Sequence, residues 1–234
     1  MKIYAHRGAS SDFPEMSRAA YLGAVEQGAD GFECDLRVTS DGVVVAWHDP
    51  DLKRIAGSPL VVSQTAYADL VRAYPILTLD EILDIAITHR KDLALETKHP
   101  VPSRGKIEYE IAKILATRNR EILASGIEIS LMSFSWLATR RAIRLGIPAV
   151  YLSTHWLMLR FVQGRSLGPS ISSLRKYPVI VSYPHSRMPL ARTFVWTVDE
   201  PEDAALCQRL GVDVLITNRP GEIRESLGRY RQND

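Results

Sequence analysis

Hydrophobic and polar positions alternate most sharply between Gly31 and Val38. In an extended strand Phe32, Cys34 and Leu36 share one face, and Glu33 and Asp35 share the other, about 7 Å apart. Short apolar runs predict further strands at Lys2 to Ala5, Asp92 to Thr97, Ile127 to Met132, Ala149 to Leu152, Thr193 to Val198 and Val212 to Thr217. Helical spacing predicts amphipathic helices over Glu15 to Gln27, Leu79 to Thr88, Ile107 to Leu123, Trp136 to Leu145, Pro201 to Gly211 and Pro220 to Leu227. Thr78 with Glu81 three residues on has the form of a capping box. Thr65 to Arg72 and Trp156 to Val162 read as shorter helices, and Leu174 to Tyr183 as a β-branched strand interrupted by proline.

One punctuation recurs. A helix ends in glycine and a strand follows within a few residues: Gly28 before Phe32, Gly146 before Ala149, Gly211 before Val214. Repeated strand–helix alternation implies parallel strands with helices outside. One more strand near Leu167 brings the count to about eight, as in a closed (β/α)8 barrel. No glycine-rich nucleotide loop follows the first strand, which weighs against an open doubly wound sheet. The expected fold is therefore an α/β, TIM-type barrel. It forms one domain over residues 1–234, with a small hairpin and loop insertion at about 40–75, after the second strand.

Composition narrows the class. With 46% hydrophobic and 24% charged residues, the chain reads as an ordinary globular protein. The net charge is +2, with acids and bases read as mixed along the chain, which gives no case for nucleic-acid binding or for a polybasic membrane anchor. Cys34 and Cys207 are too few for a disulfide framework and read as buried free thiols, which suits a reducing compartment. The first residues have no signal-peptide pattern, and no apolar run approaches spanning length. The expected location is cytoplasmic.

The chemistry starts at Glu33 and Asp35. Two acids on one face of an apolar strand repel each other and are costly to desolvate. A divalent cation relieves both problems, and an all-oxygen ligand set favours Mg²⁺ or Ca²⁺. The competing reading is a structural hairpin with solvated acids. Asp41-Gly42 carries a tight-turn signal. As a two-residue loop it would set position 40 opposite 43 and Asp35 opposite His48, on the carboxylate face; a longer loop would shift that register by a residue or so.

In a barrel, functional groups gather at the C-terminal ends of the strands. There the sequence offers His6 and Arg7, Glu33 and Asp35, Glu96 and Lys98, Ser133-Phe134 and Trp196-Thr197, with His48 delivered by the hairpin. Two histidines suit acid–base work near neutral pH. Arg7 and Lys98 suit an anionic oxygen group. Phe134 and Trp196 can serve as core, or as an apolar wall for a substrate. These parts together suit cleavage of a phosphate ester. His89, His99, His155 and His185 read as structural, with His99 the nearest to the site. Glu15 is read as a brace for the first loop, Asp49 as a partner of the following loop or of His48, and Arg140, Arg141 and Arg144 as a solvated helix face.

His6-Arg7-Gly8, Pro14-Glu15, Glu33-Cys34-Asp35, Asp41-Gly42, His48-Asp49 and Glu96-Thr97-Lys98 stand in an order that resembles the glycerophosphodiester phosphodiesterase family. Trp196-Thr197-Val198, Gly211-Val212-Asp213 and Ile216-Thr217-Asn218-Arg219-Pro220 resemble its C-terminal signature. The resemblance spans nearly the whole chain. It implies a (β/α)8 barrel with a small insertion, and hydrolysis of glycerophosphodiesters to sn-glycerol 3-phosphate and an alcohol with one divalent cation, Mg²⁺ or Ca²⁺. It implies His6 and His48 as the acid–base pair, Glu33, Asp35 and Glu96 as metal ligands, and Arg7 and Lys98 on the phosphate. Two positions depart from the family pattern. Met16 follows Pro14-Glu15 where asparagine is usual, and Asn218 stands where aspartate is usual. Neither is an expected ligand, so the departures bear on loop geometry and substrate fit.

Three other functions compete. A phospholipase D-like relative acting on lysophospholipids would need an exposed apolar rim, which the sequence does not display. A metal-dependent barrel lyase or aldolase would need a Schiff-base lysine or a carbonyl-polarising metal, and Lys98 is the candidate. A non-catalytic binding protein has no use for the histidine pair. The expected partner is a small glycerophosphodiester, with neither nucleic acid nor a stable membrane anchor.

Overall fold

Eight parallel strands form the wall of a barrel, seen in a computed structural model that describes residues 1–101, 104–160, 166–182 and 191–230. They are β1 (Lys2–His6), β2 (Gly31–Val38), β4 (Asp92–Thr97), β5 (Ile129–Ser133), β6 (Ala149–Ser153), β7 (Ser166–Pro169), β8 (Phe194–Val195) and β9 (Val214–Thr217). Their order is β7-β6-β5-β4-β2-β1-β9-β8. Parallel bridges Leu167–Thr193 and Ser170–Trp196 bring the two ends of that order together. A ninth strand, β3 (Val44–Ala46), pairs antiparallel with β2.

Alternation along the strands sorts the side chains as expected. Phe32, Cys34 and Leu36 pack outward with Tyr21, Ile82, Leu83 and Ile107 of the surrounding helices. Tyr4, Ala94, Met132, Val150, Phe194 and Ile216 fill the barrel interior. Glu33, Asp35 and Glu96 occupy the opposite face from Phe32 and Cys34, toward the C-terminal end of that interior. A filled lower barrel leaves only this end free to hold polar chemistry.

The outer helices are α1 (Arg18–Glu26), α4 (Leu79–His89), α5 (Lys106–Thr117), α6 (Asn119–Ser125), α7 (Trp136–Arg144), α8 (Trp156–Arg160), α9 (Ile171–Lys176), α10 (Pro201–Arg209) and α11 (Pro220–Tyr230). The insertion adds α2 (Lys53–Ala56) and α3 (Tyr67–Ala73). It has its own small core of Val45, Trp47, Leu52, Val62, Leu70 and Ile76.

Several boundaries differ from expectation for local reasons. The first helix starts at Arg18 rather than Glu15, because Ser17 caps it by accepting from the Ala20 N–H. The long helix expected over Ile107 to Leu123 is two, broken at Arg118. Thr117 turns its hydroxyl back to the Lys113 carbonyl, and the Arg118 side chain is drawn to Asp84 and Glu121. Of the strand expected over Leu174 to Tyr183, the described residues 174–182 form none: Ser170 caps α9, and Pro178 starts a 3-10 turn to Val181. The expected last strands shorten to Phe194–Val195 and Val214–Thr217. Residues 161–162 of the expected helix and His185 lie outside the described residues.

The hairpin register also shifts. Leu36, Arg37 and Val38 face Ala46, Val45 and Val44, and Thr39 N–H donates to Val43 O at 3.0 Å. The loop is thus three residues, Ser40-Asp41-Gly42, with Gly42 at φ 94°. Trp47, not His48, reaches Asp35 along the backbone, its N–H donating to Asp35 O at 2.9 Å.

The capping box is formed as expected. Glu81 N–H donates to Thr78 Oγ1 at 3.2 Å, and Thr78 N–H to Glu81 Oε2 at 2.9 Å. This fixes the start of α4, whose Leu79, Ile82, Leu83 and Ala86 pack on the barrel wall. Thr78→Ala should lower the unfolding free energy by about 1 kcal/mol. Urea denaturation should show a lower midpoint with an unchanged slope.

Candidate active site

Two residues of β2 and one of β4 build the centre. β2 and β4 pair so that Asp35 lies level with Glu96. Glu33, Asp35 and Glu96 each offer a carboxylate oxygen, and these lie within 4.8 Å of one another. Three acids so close in a barrel interior cannot all ionise cheaply. Burial first, and the Asp35 charge second, push Glu33 and Glu96 up to about 8. Burial works hardest against ionised Asp35 too, but Lys98 and Arg7 outweigh it and hold its carboxyl below the usual range.

Lys98 Nζ lies 2.6 Å from Asp35 Oδ1 and 2.5 Å from Glu96 Oε1. Arg7 Nε lies 2.8 Å from Asp35 Oδ2, close in charge but not aligned as a hydrogen bond. Buried Glu33 Oε1 has no hydrogen-bond partner. A shared cation is what such a donor set accommodates: all oxygen, convergent, and with Glu33 Oε1 and both Asp35 oxygens lacking an aligned hydrogen bond.

The loop after β1 is bent to serve this cluster. Arg7 adopts φ 58° and donates its N–H to Glu33 O at 3.0 Å. Gly8 follows at φ 80°, where a Cβ would sit 2.6 Å from the Ala20 carbonyl carbon. Met16 closes the loop by donating its N–H to Arg7 O at 2.8 Å, itself at φ 56°. Asparagine tolerates that left-handed conformation better than methionine. This is the physical consequence of the Met16 departure, and it is offset by burial of the side chain in the helix–wall core.

The two histidines are held at Nδ1 by different partners. His6 Nδ1 faces Asn218 Oδ1 at 2.7 Å. Asn218 Nδ2 donates to Asp199 Oδ2 at 2.6 Å, so Oδ1 is the atom turned to His6 and accepts its N–H. The lone pair of neutral His6 is then on Nε2, which lies 3.8 Å from Glu33 Oε2. His48 Nδ1 faces the Asp49 carboxylate at 2.7 Å. Burial, chiefly, lowers both imidazoles; Arg7 adds to this at His6, while Asp35 and Asp49 oppose it at His48. Since the strand register does not deliver His48, the Arg37 guanidinium does so, donating to the His48 carbonyl at 3.0 and 2.7 Å.

Arg54 of α2 completes a chain of charges. It pairs with Asp49 at 2.5 Å and with Glu15 at 2.5 Å, and Glu15 accepts from Arg7 at 3.1 Å. Asp35, Arg7, Glu15, Arg54, Asp49 and His48 therefore form one unbroken series. Phe134 and Trp196 meet edge to face with ring centroids 5.3 Å apart, and Trp196 Nε1 donates to Gly168 O at 2.8 Å.

Of the expected residues, Glu33, Asp35, Glu96, Arg7, Lys98, His6 and His48 are brought into one electrostatic cluster. Phe134 and Trp196 lie together beyond the ends of β5 and β8. His99 instead pairs with buried Glu108 at 2.6 Å, as a structural histidine. Arg141 binds the same carboxylate at 2.9 Å and so leaves the solvated face assigned to it. Arg37, Arg54, Asp199 and the His6 contact of Asn218 were missed. Asn218 and Asp199 follow the C-terminal ends of β9 and β8, so the position rule for barrels was the available signal.

Comparison with known proteins agrees with this geometry. Residues 6–222 match the model of the glycerophosphoryl diester phosphodiesterase family. A probable glycerophosphodiester phosphodiesterase 1 of Mycobacterium tuberculosis is 33% identical over 269 aligned residues, covering 99% of this chain and 94% of the relative. A glycerophosphodiester phosphodiesterase of Thermotoga maritima superposes with a TM-score of 0.80 at 23% identity, covering 96% of this chain and 97% of that one. A phosphodiesterase of Oleispira antarctica, solved with the product sn-glycerol-3-phosphate, gives 0.77 at 21% identity, with 97% of each chain covered. On the family match and the Mycobacterium relative, the chain belongs to the glycerophosphoryl diester phosphodiesterase family of phosphoric diester hydrolases.

Proposed function

We propose that the chain, working as one barrel domain, hydrolyses glycerophosphodiesters to sn-glycerol 3-phosphate and an alcohol, with paired-histidine catalysis supported by a divalent cation. The observation that carries this reading is the buried three-carboxylate cluster, with its partnerless Glu33 oxygen, set among two histidines, Arg7 and Lys98. The Oleispira relative's bound product supports the glycerol phosphate half of the assignment.

Glu33, Asp35 and Glu96 would hold Mg²⁺ or Ca²⁺, which when bound supplies positive charge to the phosphate oxygens. Arg7 and Lys98, within the same cluster, add guanidinium and ammonium donors for the remaining anionic oxygen. His6, kept neutral by burial and with its lone pair directed to Nε2 by Asn218, takes a proton from the attacking oxygen, which is either water or the glycerol hydroxyl that closes a cyclic phosphate then opened by water. His48, whose Nδ1 rests on a carboxylate that favours the imidazolium, gives a proton from Nε2 to the departing alkoxide. Phe134 and Trp196 form an apolar wall for the glycerol carbons or the leaving group.

Calorimetric titration with Mg²⁺ and Ca²⁺ tests the cation. Glu33→Gln/Glu96→Gln should abolish binding and activity together; unchanged affinity would remove the ligand assignment.

Kinetics test the histidines. His6→Ala and His48→Ala should each lower turnover roughly a hundredfold or more at saturating metal. A p-nitrophenyl ester, whose leaving group needs no proton, should restore most of the loss in His48→Ala and little of it in His6→Ala. Equal rescue of both would reverse or merge the two roles.

The leaving-group side faces the open mouth. Efficiency should therefore vary little among choline, ethanolamine and glycerol diesters, and fall when the glycerol is altered. A clear preference for lysophosphatidylcholine below its micelle concentration would favour the phospholipase D-like alternative.

A further inference from the structure

Charge is distributed unevenly around the barrel. Residues 129–198 contain nine arginines and lysines and no aspartate or glutamate. The remaining 20 of the 29 basic residues face all 27 acids, so the net charge of +2 conceals a strongly basic sector. This sector is one continuous arc of the fold, from β5 through β8 with α7, α8 and α9. Among the described residues its ion pairs borrow acids from outside: Arg141 uses Glu108, Arg175 uses Asp203 and Arg192 uses Glu128. Arg140, Arg144 and Lys176 are exposed and form no ion pair among the described residues.

The same arc exposes aliphatic side chains. Leu137 is 59% exposed, Leu157 50%, Met158 52% and Val179 54%. Leu137 is in the first turn of α7, and Leu157 and Met158 in that of α8, so all three lie at the mouth end of the barrel. This is the apolar rim that the sequence did not display. Beneath them the Trp136 ring packs on buried Tyr151, which clusters with Trp156 and Tyr177. Basic groups sit just below these apolar tips. Arg140 follows Leu137 by one turn and Arg144 by two, on the same helix face. Lys176 shares a surface groove with Trp156 and Leu157.

Aliphatic tips at one level, with Arg140 one turn and Arg144 two turns beneath and Lys176 beside Leu157, match a bilayer, whose acyl boundary is overlain by headgroup phosphates. A nucleic acid would use the cations but has no place for Leu137, Leu157 and Met158. We propose that the arc from α7 to α9 is a docking surface for an anionic lipid bilayer, and that it seats the barrel mouth against the headgroup layer. The inference rests on charge and exposure, and is independent of the proposed reaction.

Co-sedimentation of the full chain with phosphatidylcholine vesicles, with and without phosphatidylglycerol, tests it. The protein should partition onto phosphatidylglycerol vesicles at low salt and be released by added salt. Leu137→Ser/Leu157→Ser/Met158→Ser and Arg140→Gln/Arg144→Gln/Lys176→Gln should each weaken partitioning roughly tenfold or more. Circular dichroism and hydrolysis of soluble glycerophosphocholine should be unchanged in both, which separates lost docking from lost folding. The proposal is overturned if the wild-type chain stays in the supernatant at low salt, or if either folded variant partitions as the wild type does. It is overturned equally if a duplex oligonucleotide displaces the protein from vesicles through the basic residues alone, with the serine variant unaffected.

Discussion

Burial of three carboxylates within 4.8 Å of one another is the constraint to which the rest of the barrel mouth answers. Repulsion in a low-dielectric interior disfavours the charged form of each, and compensation must come from fixed cations or from a bound one. Arg7 approaches from the loop after β1 and Lys98 from the end of β4, and both converge on Asp35. To bring Arg7 there, the backbone takes a left-handed turn at Arg7 and Gly8, and Gly8 must lie against α1. The local strain of that loop is maintained by hydrogen bonds to Glu33 and Met16.

The insertion has a comparable role. Its own apolar core makes α2 a firm platform, and Arg54 projects from that platform to Asp49 and Glu15. One side chain thereby couples the orientation of His48 to that of Arg7. The two histidines differ because their partners differ in charge: a neutral amide, oriented by Asp199, on His6, and a carboxylate on His48. That asymmetry is what would suit two chemically identical side chains to the opposite parts in proton transfer that we propose.

Most of the scaffold was legible along the chain because its rules are local. Period-two alternation at Gly31 to Val38 fixed which side chains face the interior, and it placed Glu33 and Asp35 there. Glycines after helices marked the repeated units, and Thr78 with Glu81 marked a helix start. Motif order pointed to the family and to seven of the residues that the fold assembles. Where local rules compete, the reading failed. Leu174 to Tyr183 has strand-forming residues, yet a serine cap and a proline start made 171–176 helical and 178–181 a 3-10 turn.

What only the tertiary structure decided concerns groups distant in sequence, whose meeting depends on barrel closure. His6 and Asn218 are 212 residues apart and touch because β1 and β9 are neighbours. Arg54 gained its role from a fold of the insertion that no motif encodes, and His48 from Arg37 rather than from a turn register that a single extra loop residue displaced. The basic arc was present in the sequence as an acid-free stretch, but its apolar tips and unpaired cations became one surface only when α7, α8 and α9 were laid side by side. Side-chain type and spacing determine a local face; which faces meet is a property of closure, where long-range packing selects among contacts that local sequence leaves equal.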